Sequence, residues 1–383
     1  MVSICLLLWQ VPAHSTFASP QESAVPSDRA IEVLAEGDSV SAEKEFRRRL
    51  VDNPHDFEAL VGWAGALAAQ GRGAEVLPAL NQGAERRLAT GAYGEAVELL
   101  ELAAALDPRS PAAKARLGRA LILDRRYLAA EAPLRQALEQ GGPQLAWLLQ
   151  LGSVLWETGE LGEAEELLKE AAKRARASAV PWHQLGRFLL WQGRYEESVE
   201  ALQQAKLLGA GGFDLELDRA RALEGWARRI GSREQDAARR KEVLEEALRA
   251  FQLAVVLAPE HSEIHYGLAR VLAALGRGEE AATEREIYQR LYREDQDRVR
   301  QQGLAQARLD HAYDLLRHDR AGEAVAVLTT LPETVEVLQA LALAQRENGD
   351  LEAARRFLER AVAQAPERRD LRALLTEIVL ALE

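Results

Sequence analysis

The sequence is poor in the residue types and motifs that would point to a specific chemistry. Only one of its 383 residues is a cysteine, so no disulfide can form within one chain and cysteine usage does not indicate a compartment. There is no glycine-rich phosphate loop followed by lysine, no HExxH, no CxxC and no Gly-x-Ser-x-Gly. We therefore predict a protein that is not an enzyme and uses no cofactor.

The sequence also has fewer basic than acidic residues. The chain has 48 Lys and Arg against 60 Asp and Glu, a net charge of −12 and a pI near 5.3. This balance argues against general binding to nucleic acid or to anionic membrane surfaces. The basic residues are 42 arginines and only 6 lysines, a bias typical of a GC-rich bacterial genome.

The N-terminus contains no Asp, Glu, Lys or Arg in its first eighteen residues. Residues 4–9 are an apolar run, and a small-residue cleavage site follows at Ala18. The run is much shorter than the roughly 18 apolar residues that span a membrane, so we predict no integral membrane segment. Residues 1–20 resemble a signal peptide, although no positive residue precedes the run; the alternative is a disordered tail. We expect an exported protein, periplasmic or extracytoplasmic, with a cytoplasmic protein as the alternative.

A residue pattern repeats at a step of 34 residues. It is marked by Gly118, Gly152 and Gly186, each of which follows a leucine and is itself followed three residues later by another. The same step then marks a second helix, through Tyr127, Leu161 and Tyr195; Ala130, Ala164 and Ser198; Leu134, Leu168 and Leu202; and Ala137, Ala171 and Ala205. A helical pair of this length buries its apolar face by stacking on copies of itself.

This pattern resembles the tetratricopeptide repeat family. The resemblance implies an all-α fold: a right-handed superhelix, or α-solenoid, of stacked antiparallel helix pairs with a C-terminal capping helix. Gly193 should end a first helix, because glycine enters the left-handed conformation at low cost. The clearest copy runs through Trp182, Leu185, Gly186, Leu189, Gly193, Tyr195, Ser198, Leu202 and Ala205.

Irregular spacing locates the parts of the array. Pro54 and Pro108 lie 54 residues apart, 20 more than one step, so that unit is distorted. Residues 279–319 are rich in charge and have no proline, and they predict two long helices that meet near residues 295–297. We predict degenerate repeats in 21–108, regular repeats in 109–227, a charged insertion in 228–242, further repeats in 243–366 and a capping helix in 367–383.

The candidate site comes from the resemblance, since first helices of such repeats line the concave side of the superhelix. Their positions that do not pack within a pair should project into a groove, and arginine and tryptophan dominate them. Arg pairs with carboxylates and Trp supplies rigid contact area. We expect a protein or peptide partner, acidic or carboxylate-ended, at Arg116, Arg119, Gln150, Ser153, Trp156, His183, Gln184, Arg187, Trp191 and Arg221.

Two other functions stay open. One is a cell-envelope assembly or accessory factor that contacts its partners through the convex face or through the basic insertion. The other is an enzyme or enzyme subunit with a metal site near His261 and His265, which stand four residues apart with Glu263 between them. His265 falls where the repeat pattern places a bulky packing residue, which favours a structural role.

Overall fold

The computed structural model describes residues 26–230, 236–365 and 368–382, and within these ranges it contains 19 α-helices and no strand. The predicted signal segment, residues 1–20, lies outside the described residues. The chain divides into two compact units, one ending at Leu257 and the other beginning at Ala258. Each unit is an all-α stack of antiparallel helix pairs, as the repeat pattern predicts.

The first unit contains thirteen of these helices, together with one short 3₁₀ turn, Gly73–Val76. They are α1 Pro26–Ala35, α2 Ser39–Asp52, α3 Phe57–Ala69, α4 Leu77–Thr90, α5 Tyr93–Leu106, α6 Pro111–Leu123, α7 Tyr127–Gly141, α8 Leu145–Thr158, α9 Leu161–Arg174, α10 Ala179–Trp191, α11 Tyr195–Leu207, α12 Phe213–Ile230 and α13 Ala237–Leu257.

Close approach of a glycine to a leucine sixteen residues later defines each regular pair. A Cβ built on Gly118 would stand 2.5 Å from the Cγ of Leu134, which joins α6 to α7. The same relationship joins α8 to α9 and α10 to α11. The absence of a side chain on the first helix lets the leucine of the second helix fill the hollow between them.

A further pair of this kind lies before the regular block. Gly83 on α4 approaches Leu99 on α5, and it also approaches Leu60 on α3. Helix α4 therefore packs against the helices on both sides of it. This extra helix accounts for the 20 surplus residues between Pro54 and Pro108.

The loop after each first helix turns through the left-handed region. Gly159 and Gly193 adopt φ values of 93° and 73° there, as expected of glycine at a helix C-terminus. The equivalent residue after α6 is Arg125, with φ 58°. Of the predicted insertion, residues 228–230 belong to α12 and residues 237–242 to α13; residues 231–235 lie outside the described part of the chain.

The second unit contains the other six helices, and its longest one corrects an expectation from the sequence. They are α14 Ser262–Ala274, α15 Gly278–Arg317, α16 Ala321–Leu328, α17 Val335–Glu347, α18 Leu351–Gln364 and α19 Arg369–Leu382.

The prediction of two helices within 279–319 is wrong, since α15 runs through its whole 40 residues without a break. It contains no proline, and Gly303 is its only interior glycine. One exposed glycine costs a helix about 1 kcal/mol, too little to end it. The helix also carries an ion pair across the predicted junction, between Arg298 and Asp295 at 3.3 Å.

The predicted capping helix corresponds to α19, which packs on α18. Its buried side chains are Leu371 and Ile378, and they join a cluster that contains Leu358 of α18 and Ala342 of α17. Ala342 and Leu358 repeat the sixteen-residue spacing of the first unit with alanine in place of glycine. In the described ranges, the helices are either too short or too polar to cross a membrane.

Candidate functional site

The ten residues predicted to bind a partner lie on α6, α8, α10 and α12, the first helices of successive pairs. We call their surface the first-helix face. Several of them reach the equivalent helix of a neighbouring pair, about one repeat away in sequence. The structure therefore brings the predicted residues together through contacts between first helices.

At one end of the face, α6 reaches α4 through two arginines. Arg119 donates from Nη2 to Oε2 of Glu85 at 3.2 Å, and Arg116 donates from Nη1 to Oδ1 of Asn81 at 3.2 Å. Arg116 and Arg119 are exposed, and both side chains of the Arg119–Glu85 pair keep nearly half of their surface in solvent. The face is therefore less basic here than the arginines alone suggest.

In the middle of the face, aromatic rings join α8 to α10. The ring of Trp156 lies edge-on to Phe188 at 5.6 Å and to Trp191 at 5.9 Å between centroids. Phe188 is buried and Trp156 is partly buried, whereas Trp191 is 59% exposed. Trp191 is therefore an exposed indole on a rigid aromatic base.

Next to the tryptophans, α10 contacts α12 through Asp218. His183 Nε2 lies 2.9 Å from Oδ2 of Asp218, and Arg187 Nε lies 3.7 Å from the same oxygen. The carboxylate is largely buried, while Arg187 is exposed. Sequence reasoning missed Asp218, although one further step of 34 from Gln184 leads to it.

Helix α12 contacts both of its neighbours through a partly buried ion network. Arg219 donates to Glu216 at 2.8 Å and to Glu246 of α13 at 2.9 Å, and Lys206 of α11 donates to Glu216 at 2.7 Å. Glu216 stands one step of 34 after Trp182, so a charged group replaces a bulky packing residue. Buried ion pairs of this kind demand specific geometry, and this network holds the helix that carries Asp218.

The remaining predicted residues contribute less exposed surface. Gln150 and Gln184 occupy equivalent positions, and the structure buries their amide oxygens without a hydrogen-bond partner among the described residues. These oxygens face into the protein rather than outward. Ser153 and Arg221 are partly buried. The exposed part of the face is thus Arg116, Arg119, Arg187 and Trp191.

His265, one of the two histidines of the alternative metal site, is engaged within the protein. His265 is 4% exposed, with Nδ1 2.6 Å from Oε2 of Glu284 and Nε2 2.8 Å from the carbonyl oxygen of Pro259. Both ring nitrogens therefore have partners. Across the described ranges there is no group of three or more His, Cys, Asp or Glu placed to hold a metal ion. This geometry favours the structural role of His265.

Some basic residues of the predicted insertion also contact the first unit itself. Arg239 donates to Glu196 at 2.9 Å and lies 5.1 Å from the ring of Trp226. Arg229 donates to the carbonyl oxygen of Gly193 at 2.7 Å. These contacts use part of the positive charge that a partner would otherwise meet.

Comparison with known sequences decides the family. Three family models, each described as tetratricopeptide repeat, match residues 155–222, residues 124–180 and 235–298, and residues 335–368. Together they cover about half of the chain. The chain belongs to the tetratricopeptide repeat family. No curated protein matches it.

Solved structures of this repeat type are similar in a general way. MamA (AMB-1) is 21% identical, with 47% of this chain and 98% of MamA covered and a TM-score of 0.41. A human IFIT1 dimer with m7Gppp-AAAA is 16% identical, with 94% and 93% covered and a TM-score of 0.42. A tetratricopeptide repeat protein from Parabacteroides merdae is 12% identical, with 79% and 98% covered and a TM-score of 0.42. At these scores, the fold assignment rests on the family models and on the helix pairs.

Proposed function

We propose that this protein is a non-catalytic scaffold that holds a segment of a partner protein on its first-helix face. Membership of a repeat family supplies only the class, so the proposal depends on the site. The observation that carries it is Trp191, an indole that is 59% exposed although Trp156 holds it in place. Large exposed aromatic side chains on rigid supports are typical of binding hot spots.

Charge beside the indole indicates what the partner would present. Arg187 stands one helical turn before Trp191, so both side chains project from the same side of α10. Asp218 lies close enough to orient the Arg187 guanidinium. At 3.7 Å between Nε and Oδ2, however, the guanidinium can still donate hydrogen bonds to a second carboxylate. An apolar side chain on Trp191 with an acidic side chain or terminal carboxylate at Arg187 would fit this arrangement.

A protein segment suits the face better than a nucleic acid does. The chain carries a net charge of −12, and two of the face arginines already lie next to acidic groups, Glu85 and Asp218. The m7Gppp-AAAA bound by IFIT1 is therefore not the ligand we propose for this chain. Export belongs to the same proposal, and the N-terminal sequence of the mature protein tests it.

The partner is best sought by cross-linking in the native cell. A photo-cross-linking residue is placed at position 116, an exposed position of the first-helix face that leaves Trp191 in place, and cross-linked peptides are identified by mass spectrometry. The test variant is Arg119→Glu with Arg187→Glu, which we expect to reduce cross-linking more than about tenfold. The melting temperature should change little, since surface ion pairs contribute little to stability.

The matched control is Arg109→Glu with Arg176→Glu, which changes the charge equally. Both control residues are exposed and lie in turns between helix pairs, away from the face. The control should cross-link as the wild type does. Undiminished cross-linking in the test variant would refute the proposal.

A further inference from the structure

A second surface of the first unit contains an open cleft between α9 and α11, over α10. The cleft has a volume of about 530 Å³. Leu185 and Leu189 of α10 form its apolar floor together with Trp182, and we call it the outer cleft. Its other lining residues are Lys169, Glu197, Glu200, Ala201, Gln203 and Gln204. None of these residues belongs to the first-helix face.

The equivalent place one repeat earlier is bridged by a side chain. There, Arg135 of α7 donates from Nη1 and Nη2 to the two carboxylate oxygens of Glu163 on α9, at 2.5 and 2.7 Å. A two-pronged arginine–carboxylate pair is both strong and geometrically specific. It joins the second helices of two successive pairs.

The outer cleft lacks this bridge, although charges stand at the same positions. One step of 34 after Arg135 and Glu163 come Lys169 and Glu197. Lys169 instead lies 2.7 Å from Glu165, one turn back on its own helix. Glu197 takes its hydrogen bonds from Arg194, which also donates to Glu165 on α9. The pair that crosses between second helices one repeat earlier is therefore not formed here.

The rim of the cleft carries two carboxylates, of which one is already paired. Arg194 donates to both carboxylate oxygens of Glu197 and lowers the pKa of this group, so Glu197 is ionised but already has its cation. Glu200 lies one turn further along α11 and is exposed, and it forms no ion pair with any residue in the described ranges. The amides of Gln203 and Gln204 add hydrogen-bonding groups beside it.

We propose that the outer cleft binds a partner segment in which a bulky apolar side chain is flanked by lysine or arginine. The apolar side chain would lie over Leu185, Leu189 and Trp182, and the cation would pair with Glu200. Apolar burial supplies most of the affinity in such a site, and the placed charges supply the specificity. This site is independent of the proposed first-helix face and opposite to it in charge preference.

Two fluorescein-labelled peptides of 14 residues test the proposal by fluorescence anisotropy with the full-length protein. They are amphipathic and share the same leucines, but one has arginine beside the leucines and the other has glutamate. An exposed ion pair contributes up to about 1 kcal/mol, so the arginine peptide should bind up to about fivefold more tightly. Glu200→Lys should remove this preference, and Glu139→Lys, an exposed acid on α7, should not.

A second variant tests the role of the missing bridge. Lys169→Arg recreates the Arg135–Glu163 pair across the outer cleft and should weaken binding of the arginine peptide. Lys173→Arg, on the same helix but outside the cleft, is its control. Equal binding of the two peptides, binding of neither at millimolar concentration, or unchanged binding by Lys169→Arg would overturn the proposal. Circular dichroism melting confirms that each variant is folded.

Discussion

Gly186 on α10 lies directly against Leu202 on α11: a Cβ added to the glycine would stand 2.5 Å from the leucine Cγ. The hydroxyl of Ser198 on α11 also donates to the carbonyl oxygen of Gly186 at 2.7 Å. The two helices are therefore as close as their backbones allow. This contact recurs at a step of 34, and it makes the pair the unit of the fold.

Gly186→Ala should destabilise the protein. The added methyl group must push Leu202 out of a buried position, and overpacking of this kind costs about 1 to 3 kcal/mol. The midpoint of urea unfolding, followed by circular dichroism, measures the change.

The matched control for this prediction is Gly162→Ala. Gly162 also lies in a helix, α9, but a Cβ there would meet no atom within 4 Å. Alanine should then stabilise the helix by up to about 1 kcal/mol. If the two variants shifted the midpoint equally, close packing at Gly186 would not be the cause.

Arg125→Gly should stabilise the first unit. Arg125 holds φ 58° at the position where the next two repeats have Gly159 and Gly193. This conformation destabilises the folded state by about 1 kcal/mol or more for a residue with a side chain. Glycine removes that strain, but its greater conformational freedom in the unfolded chain offsets part of the gain. We expect a net gain of about 0.5 to 1 kcal/mol in thermal or urea unfolding. Gly193→Ala is the reciprocal variant and should lower the stability; a lower midpoint for Arg125→Gly would contradict this account.

Glu98→Gln should stabilise the protein at neutral pH but not in acid. Burial raises the pKa of Glu98 on α5, and the neighbouring Glu101 and Glu95 raise it further. The folded state therefore binds the Glu98 proton more tightly than the unfolded state does. The stabilising contribution is complete below the unfolded pKa of about 4.3 and is lost as the pH rises through the folded value. Removing like-charge repulsion along a helix is worth about 0.2 to 0.5 kcal/mol.

Glu163→Gln should change stability with pH in the opposite direction to Glu98→Gln. Melting temperatures of both variants and the wild type, measured as a function of pH, test the two predictions. Hydrogen bonds from Arg135 lower the pKa of Glu163, so its contribution is present above the unfolded pKa and is lost as the pH falls through the folded value. This variant should melt at a lower temperature than the wild type at pH 7, with the difference shrinking in acid. Parallel pH profiles for the two variants would show that the local environments do not control these carboxylates.

Much of the fold follows from residues that repeat in the sequence. The step between Gly118, Gly152 and Gly186 predicted three helix pairs, and the structure contains them. The pair α4 and α5 was missed because Gly83 stands 35 residues before Gly118, not 34, and follows a glutamine instead of a leucine. The length of α15 was missed because an exposed, highly charged segment has no apolar periodicity. Without that periodicity, the sequence does not distinguish one long helix from two shorter ones.

The placement of the candidate site residues was predicted only in outline. The sequence placed the tryptophans and the arginines on the first helices, but it did not predict that Trp156 and Trp191 touch. The acidic groups opposite the arginines, Glu85 and Asp218, were missed because each lies on a neighbouring helix pair. Which acid an arginine reaches depends on the distance between neighbouring helix pairs. The spacing of residues along one pair does not predict that distance.

Small residues at regular intervals were enough to establish that this chain forms paired helices. The two helices of a pair are joined by a short loop, so their contact depends only on residues that are close in the sequence. The tertiary structure decided which long charged side chains meet. Arg135 pairs with Glu131 on its own helix and also crosses to Glu163, whereas Lys169, at the same position one repeat later, pairs with Glu165 on its own helix. A lysine can pair with whichever carboxylate is nearest, while the guanidinium fork of an arginine favours the acid that accepts both of its hydrogen bonds. The Arg135–Glu163 pair therefore bridges α7 and α9, whereas Lys169 and Glu197 do not pair across α9 and α11.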